Sequence, residues 1–377
     1  MRVLILSTYE RTGGAAIAAN RLRHALEKEG VNVTMLCRRN IGWWPKGWKP
    51  QSWSSIAERA LIFLRNGLSM KDLWGVDTAL VGQDITRSEA FRKADVVHLH
   101  WVNQGFLSLG TIARILRSGK RVVWTMHDEW PLDGIVHYAD TVGTDSARRL
   151  NALNNSVMER KRRVYAQGRI TFVTCSRWLK GISEVKPLAQ GQEIVSIPNA
   201  IDTDVFKPAD RLSLREEFGL PKDRKVVLFV SQKVTDERKG VRYLDEATAM
   251  LGDDVRVVAL GRDIPYIYDE EKMARLYAAC DVFVTPSLQD NLPNTIMEAM
   301  ACGTPCVGFN VGGIPEMIDH RVNGYVARYK DAADLACGIN YVLGNGALGA
   351  ACREKVMREY SEHAVARRYM EIFSVDS

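Results

Sequence analysis

The sequence predicts an α/β chain of two doubly wound parallel-sheet domains, and three observations carry that expectation. Short apolar, largely β-branched runs alternate with helical patterns, the alternation restarts after Pro198, and 377 residues correspond to about two and a half domains of ordinary size. The hydrophobic fraction of 46% and the charged fraction of 25% are those of a folded globular chain, which excludes a disordered tail and leaves apolar material for two cores.

In chain order, residues 3–6, 31–37, 95–99, 121–126 and 170–175 read as the strands of a first sheet, and 225–230, 255–260, 281–285 and 305–309 as those of a second. Helices are expected over 15–29, 270–279, 294–302 and 331–343, closed by Gly30, Gly303 and Gly344. The run 361–373 reads as an amphipathic helix that either crosses back onto the first domain or closes the second. The expected domains are 1–195 with 361–377, and 196–360, with a ligand cleft at the C-terminal ends of the strands.

Residues 41–74 break this rhythm. They hold Trp43, Trp44, Trp48, Trp53 and Trp74, five of the nine tryptophans, among Lys46, Lys49, Arg59, Arg65 and Lys71, with only Glu58 and Asp72 as acids. Such a stretch suits an interfacial helix on an anionic bilayer. It suits equally an excursion packed on its own domain, or the wall of an acceptor groove.

The net charge of +6 conceals an asymmetry: residues 1–195 carry 29 Lys and Arg against 17 Asp and Glu, and the remainder 22 against 28. The basic half is expected to face an anionic partner, either a phosphate-bearing substrate or an acidic membrane surface, unless its charge is merely scattered and solvated. Seven cysteines without a C-x-x-C read as reduced thiols, not a disulfide frame or a zinc site. The apolar run 3–6 is too short for a signal peptide and no run reaches the ~18 apolar residues of a membrane span. A cytoplasmic chain, with any membrane contact peripheral to the inner face of the cell membrane, is the expectation, and nothing points to nucleic acid.

Several motifs are decoys. Gly344-Asn345-Gly346-Ala347-Leu348-Gly349 spells G-x-G-x-x-G, but it follows a helical pattern instead of a strand and reads as a helix terminator and loop. Asp202-Thr203-Asp204 resembles a metal-holding D-x-D but lies in a connector. There is no Walker motif and no glycine fingerprint after the first strand, which leaves an NTPase and a nicotinamide dehydrogenase unsupported.

Gly13-Gly14 stands between the first strand and the first helix, where absent side chains admit a phosphate or sugar to helix amides, or simply make a tight turn. The stretch from Ser287 to Pro305 says more. A buried strand ends in a polar loop, Pro293 opens a helix, and Glu298 sits about one turn inside it. The helix start favours a diphosphate, with Asp290 and Glu298 bracketing the ligand as acceptors for hydroxyls; the alternative is an acidic pair that only stabilises the helix dipole.

This stretch resembles the E-x7-E region of glycosyltransferase family 4, the retaining GT-B nucleotide-sugar transferases. Further matching pieces are Gly13-Gly14, His98-Leu99-His100-Trp101, the run from Thr125 to Pro131, Ile197-Pro198-Asn199-Ala200-Ile201-Asp202 and Arg238-Lys239-Gly240. Their order covers nearly the whole chain and is most similar to bacterial enzymes of surface-polysaccharide synthesis. The resemblance implies a metal-independent enzyme without cofactor that moves a sugar from a nucleotide-sugar donor to a saccharide or lipid-diphosphate-linked acceptor.

It also implies roles. Glu298 would accept from the donor ribose, Asp290 would contact the transferred sugar, and Lys239 would neutralise the diphosphate, flanked by Arg238. Gly13 and Gly14 would pass close to that diphosphate, and Asn291, Leu292, Pro293 and Asn294 would supply backbone amides to it, with Thr295 beside them on the donor site. His127 would stand near the sugar and the acceptor hydroxyl, unless it is a structural imidazole. His100, Trp101 and Asp128 would lie on the acceptor side, and the C-terminal helix would cross back onto the first domain. Two departures stand out: Asp290 is one methylene shorter than the family's usual Glu, and the usual Arg after the second domain's first strand is replaced by Gln232 or Lys233, of which Lys233 fits a two-cation clamp with Lys239. A sugar-nucleotide epimerase, or a silent subunit that binds a sugar nucleotide, shares the fold and much of this pattern.

Overall fold

The apolar runs fold as two all-parallel sheets in the computed structural model, which describes residues 1–38, 50–138, 142–231 and 235–374. In chain order the elements of the first sheet and its helices are β1 (Arg2–Ser7), α1 (Gly14–Lys28), β2 (Asn32–Cys37), α2 (Pro50–Arg65), α3 (Glu89–Lys93), β3 (Val96–Leu99), α4 (Leu109–Leu116), β4 (Arg121–Met126), α5 (Thr144–Tyr165), β5 (Thr171–Thr174), α6 (Arg177–Glu184) and β6 (Glu193–Ser196). Those of the second are α7 (Arg211–Glu217), β7 (Lys225–Val230), α8 (Val241–Thr248), β8 (Val255–Leu260), α9 (Glu270–Ala279), β9 (Val282–Thr285), α10 (Asn294–Ala301), β10 (Cys306–Phe309), α11 (Ile314–Met317), β11 (Gly324–Ala327), α12 (Ala332–Leu343) and α13 (Leu348–Glu359). The final helix is α14 (Glu362–Ser374).

The chain separates into two compact units, Met1–Ile197 with Ala366–Ser377, and Pro198–Val365. In the first, the strand order is β2-β1-β3-β4-β5-β6; in the second it is β11-β10-β9-β7-β8. Renumbered from each unit's own first strand, the first sheet runs 2-1-3-4-5-6 and the second 2-1-3-4-5, the doubly wound order whose direction reverses between the first and third strands. The reversal falls between β1 and β3 in the first unit and between β7 and β9 in the second. At that point neighbouring loops diverge above the carboxyl ends of the strands and leave a crevice for a ligand.

Burial explains why the inner strands are continuous apolar runs. Leu4, Ile5 and Leu6 are fully buried, as are Val226, Val227 and Leu228, because helices cover both sheet faces. Trp124, Trp130, Tyr165 and Phe172 form an aromatic cluster in the first core, with ring centroids 5.8–6.2 Å apart. Leu335, Ala336 and Ile339 of α12 join Val284 and Val307 in the second. Tyr369 of α14 packs on the first sheet, its hydroxyl 2.8 Å from Thr125 Oγ1, and Arg368 Nη2 donates to Ser196 O at 2.6 Å.

Several details differ from the sequence expectation. Strands β6 and β11 are edge strands of four residues that the sequence reading does not assign: β6 is half-exposed and flanked by polar residues, and β11 begins on a glycine. Gly30 and Gly303 adopt the left-handed φ of +81° and +75°, but Gly344 does not, at φ −79°. The G-x-G-x-x-G stretch is a loop only through Ala347; Leu348 and Gly349 already belong to α13, where a Cβ on Gly349 would meet Gly303 O at 2.4 Å. Trp43, Trp44, Trp48, Lys46 and Lys49 lie outside the described residues, but α2 packs on its own unit through Glu58, Arg59 and Ile62, which are all buried. Asp202 accepts from Asp204 N (2.9 Å) and Val205 N (3.1 Å), a turn within the connector. All seven cysteines are unpaired thiols.

Candidate active site

Most of the described residues singled out in the sequence follow the strands that flank the two sheet reversals, with His127 and Asp128 after the neighbouring β4, and each group is built by its own unit. In the second unit, the loop after β9 is held between two glycine backbones. Gly240, at φ +68°, lies so close that a Cβ would meet Pro286 O at 1.8 Å; Gly312, at φ +58°, would put its Cβ 1.8 Å from Asp290 O. Only glycine tolerates both the backbone angle and the contact. Leu288 N donates to Arg238 O at 2.7 Å, which ties this loop to the turn after β7.

Asp236 caps that turn by accepting from Arg238 N (3.1 Å), and Lys239 Nζ reaches Asp290 Oδ2 at 3.0 Å. Arg238 folds its guanidinium back on Asp236, with Nη2 2.8 Å from Oδ2, so the two neighbouring cations point to different carboxylates. Lys233 and Gln232 lie outside the described residues. Asn291, Leu292 and Pro293 are buried, and Pro293 occupies the N-cap position of α10 with no side-chain cap. Proline carries no N–H, so the expectation of backbone donors across 291–294 is corrected at Pro293: donors at the helix start come from Asn294 and Thr295 onward. The first turn of α10 contains no acid. By contrast α9 and α12 begin with Asp caps and an acid in the first turn. The positive end of the α10 dipole is therefore not compensated by a side chain in its own first turn.

Glu298 is 9% exposed and accepts from Tyr277 OH at 3.0 Å. Burial, and then the charge of Glu298, drive the Tyr277 hydroxyl well above its ordinary pKa, so it stays protonated as the donor. Asn199 Nδ2 donates to Asn294 Oδ1 at 3.0 Å, which joins the Ile197-Pro198-Asn199 piece to the start of α10.

In the first unit, Gly13 takes φ +87° at the N-cap of α1, and Gly14 is the first helical residue; that helix start also lacks a side-chain cap and a first-turn acid. Tyr9, just after β1, stacks on Trp101, just after β3, with ring centroids 6.1 Å apart. The ends of β3 and β4 carry a row of imidazoles, His98 and His100 buried and His127 half-buried. His98 Nε2 is 2.7 Å from Thr125 Oγ1, His98 and His100 rings are 4.3 Å apart, and His100 Nδ1 is 3.1 Å from His127 Nε2. Cys175 donates its thiol hydrogen to Met126 O (3.3 Å), and its sulfur lies 3.6 Å from His127 Nδ1. With hydrogen on Nδ1 of both His100 and His127 the contacts along the row pair donor with acceptor and both ring nitrogens of His127 are engaged, whereas His98 Nδ1 and His100 Nε2 are buried without a hydrogen-bond partner. Burial lowers the His127 pKa to about 4 against the opposing charge of Asp128, and that of His98 to about 3. These rings are neutral at physiological pH.

Beside them lies a network that sequence reasoning missed. Asp128 accepts from Trp101 Nε1 (3.2 Å) and Trp130 N (3.1 Å), and its Oδ2 is 2.6 Å from His137 Nδ1. The other ring nitrogen, His137 Nε2, is 2.8 Å from Asp77 Oδ2, and Asp77 also pairs with Arg59. Burial works against a charged His137, but Asp128 and Asp77 overcome it and raise its pKa to about 10. Glu58 accepts from Thr78 N, Thr78 Oγ1 and Ala79 N at 2.7–2.9 Å. No motif flags His137 or Asp77; Glu58 next to Arg59 on a stretch otherwise poor in acids was the one available signal. Among the described residues, no group of three or more His, Cys, Asp or Glu is placed to hold a metal ion.

Comparison with known proteins agrees with this architecture. Residues 12–205, just over half of the chain, match the model of Glycosyltransferase Family 4, and residues 224–345 match that of Glycosyl transferases group 1. A Bacillus anthracis N-acetyl-alpha-D-glucosaminyl L-malate synthase is 26% identical over 50% of this chain and 55% of its own length. A Mycolicibacterium smegmatis D-inositol 3-phosphate glycosyltransferase is 26% identical over 74% of this chain and 68% of its own length. The chain thus spans little more than half to two thirds of these curated relatives. Among solved structures, sucrose-phosphate synthase from Thermosynechococcus elongatus superposes with a TM-score of 0.69 at 19% identity, over 99% of this chain and 98% of that one. An Anabaena protein solved with UDP-glucose gives 0.63 at 16%, over 99% of both chains. These likenesses show the fold, two Rossmann-like domains of GT-B type. With both halves of its sequence matched in order, the chain belongs to glycosyltransferase family 4.

Proposed function

We propose that the protein is a retaining glycosyltransferase that moves a sugar from a nucleotide-sugar donor to a saccharide or lipid-diphosphate-linked acceptor in polysaccharide synthesis. One observation carries the reading: in the second unit the Lys239–Asp290 pair and a helix start without a side-chain cap or a first-turn acid follow the two strands between which the sheet order reverses, with Glu298 about one turn into that helix. Such a crevice accepts a nucleotide, because donors at a helix N-terminus and a nearby cation offset its phosphate charge.

In this reading Glu298, oriented by Tyr277, accepts from the ribose hydroxyls. The diphosphate lies against the α10 start, and Lys239 exchanges Asp290 for a phosphate oxygen. Asp290, released from that pair, faces the transferred sugar. As the bond to the anomeric carbon breaks, negative charge grows on the β-phosphate; Lys239, the helix amides and, with them, Arg238 and Lys233 stabilise it without a metal. The acceptor hydroxyl attacks from the same face, and the departing phosphate takes up its proton, so no protein nucleophile is required. His127 enters as a neutral donor that gives up one of its present partners, and His100, Trp101 and Asp128 hold the acceptor side.

The donor is tested by a thermal-shift screen of UDP-, GDP- and ADP-sugars, since a ligand selective for the native state raises the Tm. UDP and UDP-glucose come first, because the Anabaena structure was solved with UDP-glucose. One family of sugar nucleotides should raise the Tm, and product analysis should show transfer that depends on an added acceptor. Conversion of the donor sugar in the absence of acceptor would replace this reading with an epimerase.

A further inference from the structure

The strands of the first unit carry the residues described above at or beyond their carboxyl ends. At the other end of the same sheet, the starts of β4, β5 and β6 enclose a cavity of about 540 Å³ that none of those residues lines. Arg121 begins β4 and Met126 ends it, so the cavity lies about 17 Å along the strand from the carboxyl end of the sheet. Leu116, Val122 and Ile170 give it a buried apolar lining, and Lys120, Arg121, Arg169 and Glu193 give it charge. Gly119 and Gly191 line it as well, at φ +73° and +76°, and a Cβ on either would meet no atom within 4 Å. The turns that demand glycine therefore also leave the space open.

Among the residues that line it, three cations stand against one carboxylate. Lys120 Nζ donates to Ala94 O (2.6 Å) and Arg92 O (3.2 Å) and lies 5.4 Å from the Phe91 ring, so its charge has partners but no counter-ion. Arg169 is exposed and has no hydrogen bond or ion pair among the described residues. Arg121 is largely buried: its Nη2 donates to Thr171 Oγ1 at 3.2 Å, and its Nε is shielded with no hydrogen-bond partner. Glu193 does not balance it. That carboxylate is exposed, accepts from Thr171 Oγ1 at 2.9 Å and stays 3.9 Å from Arg121 Nη2. A buried donor without an acceptor costs free energy, as do like charges gathered in one cavity, and an oxyanion relieves both. We propose that the cavity binds a small phosphate-bearing anion, gripped by Arg121 and Arg169 with Lys120 beside them, at a site of the first unit separate from the crevice. The cations come from the start of β4, the loop before it and the loop before β5; a tetrahedral phosphate offers oxygens to all three, whereas a planar carboxylate matches one guanidinium fork. Binding requires the Arg121 guanidinium to turn, because its Nε is covered in the present setting. The inference does not depend on the proposed chemistry.

The test is titration of the full chain with inorganic pyrophosphate, read as Tm, against sodium chloride and citrate at matched ionic strength. It is run in the wild type and in Lys239→Ala, which weakens any response from the second unit. Pyrophosphate should raise the Tm of both proteins more than either control salt does. In the Lys239→Ala background, Arg121→Ser with Arg169→Ser should lower the apparent affinity at least ~10-fold, the scale of one lost hydrogen bond to a charged group. Arg169 is exposed, so Arg169→Ser alone keeps the fold and should still weaken binding by ~3-fold, the scale of an exposed ion pair. Arg148→Ser, on an exposed cation of α5 outside the cavity lining, should change nothing. Nucleotide binding unaltered by the Arg121 and Arg169 substitutions keeps this test separate from that of the donor site. No rise in Tm beyond that of sodium chloride, an equal response to citrate, or equal affinity in the Arg121/Arg169 variant would overturn the inference. So would a Tm that the substitutions lower while the pyrophosphate response persists, which would leave the cations only to offset the carbonyl ends of α4 and α5.

Discussion

The two units share a sheet order but assemble their candidate residues in different ways. In the second, backbone does most of the placing: two glycines clamp one loop, a turn hands over a lysine, and a helix begins without a side-chain cap. In the first, side chains distant in sequence converge through ion pairs and imidazole contacts, Arg59 and Asp77 with His137 and Asp128, and Tyr369 with Thr125. Backbone-built sites leave a local signature in sequence, because glycine, proline and a cap position are each dictated by a nearby torsion. Networks built by convergence leave little: nothing local marked Asp77 or His137, and Glu58 beside Arg59 was the one trace of theirs.

The contrast predicts opposite sensitivities. Substituting His137 should strike stability in the first unit, because it removes the cation shared by two buried carboxylates. His137→Asn is expected to cost about 3 kcal/mol, the scale of breaking a buried ion pair, and thermal denaturation measures it. Its pH dependence has a definite sign. The folded-state pKa of His137 is raised from 6.5 to about 10, so its contribution is full below pH 6.5 and declines as pH rises toward 10. The wild type should lose stability along that alkaline limb, and the Asn variant should lose the limb itself.

In the second unit the large effect belongs to activity instead. Lys239→Ala should lower kcat/KM by at least ~10²-fold, the low end for removing one charge-stabilising donor, with little change in Tm because its pair with Asp290 is partly exposed. Steady-state transfer at near-normal rate would remove that role. A smaller effect separates the readings of His127. With its pKa near 4, the ring does not titrate between pH 5 and 9, so the kcat/KM profile of the wild type should show no His127 limb in that range. A limb near pH 6.5 that disappears in His127→Gln would show instead that the ring is exposed and ionising in the working enzyme.

How much of this was legible follows the same division. The inner strands were readable because burial on both faces makes them continuous apolar runs; β6 and β11 were not, since short edge strands have no such run. The loop from Ser287 through α10 was readable because a strand, a polar loop, Pro293 and Glu298 are consecutive. Its partner Gly312 was not singled out, because what demands glycine there is Asp290 O, brought near only by the fold. In α2, the alternation of charged and apolar residues announced an amphipathic helix, but nothing in the sequence says that the charged side turns inward. That depends on Asp77 waiting beneath Arg59.

The central claim is that the second unit grips a nucleoside diphosphate without metal, with Glu298 on the ribose. Calorimetric titration of UDP, or of whichever nucleoside diphosphate the thermal screen selects, into the wild type and Glu298→Ala in the presence of EDTA tests it most directly. The account predicts saturable binding by the wild type that EDTA leaves unchanged, and an affinity lower by ~10-fold or more in the variant, the scale of a lost hydrogen bond to a charged group. Binding that vanishes with EDTA, or equal affinity in the two proteins, would contradict it.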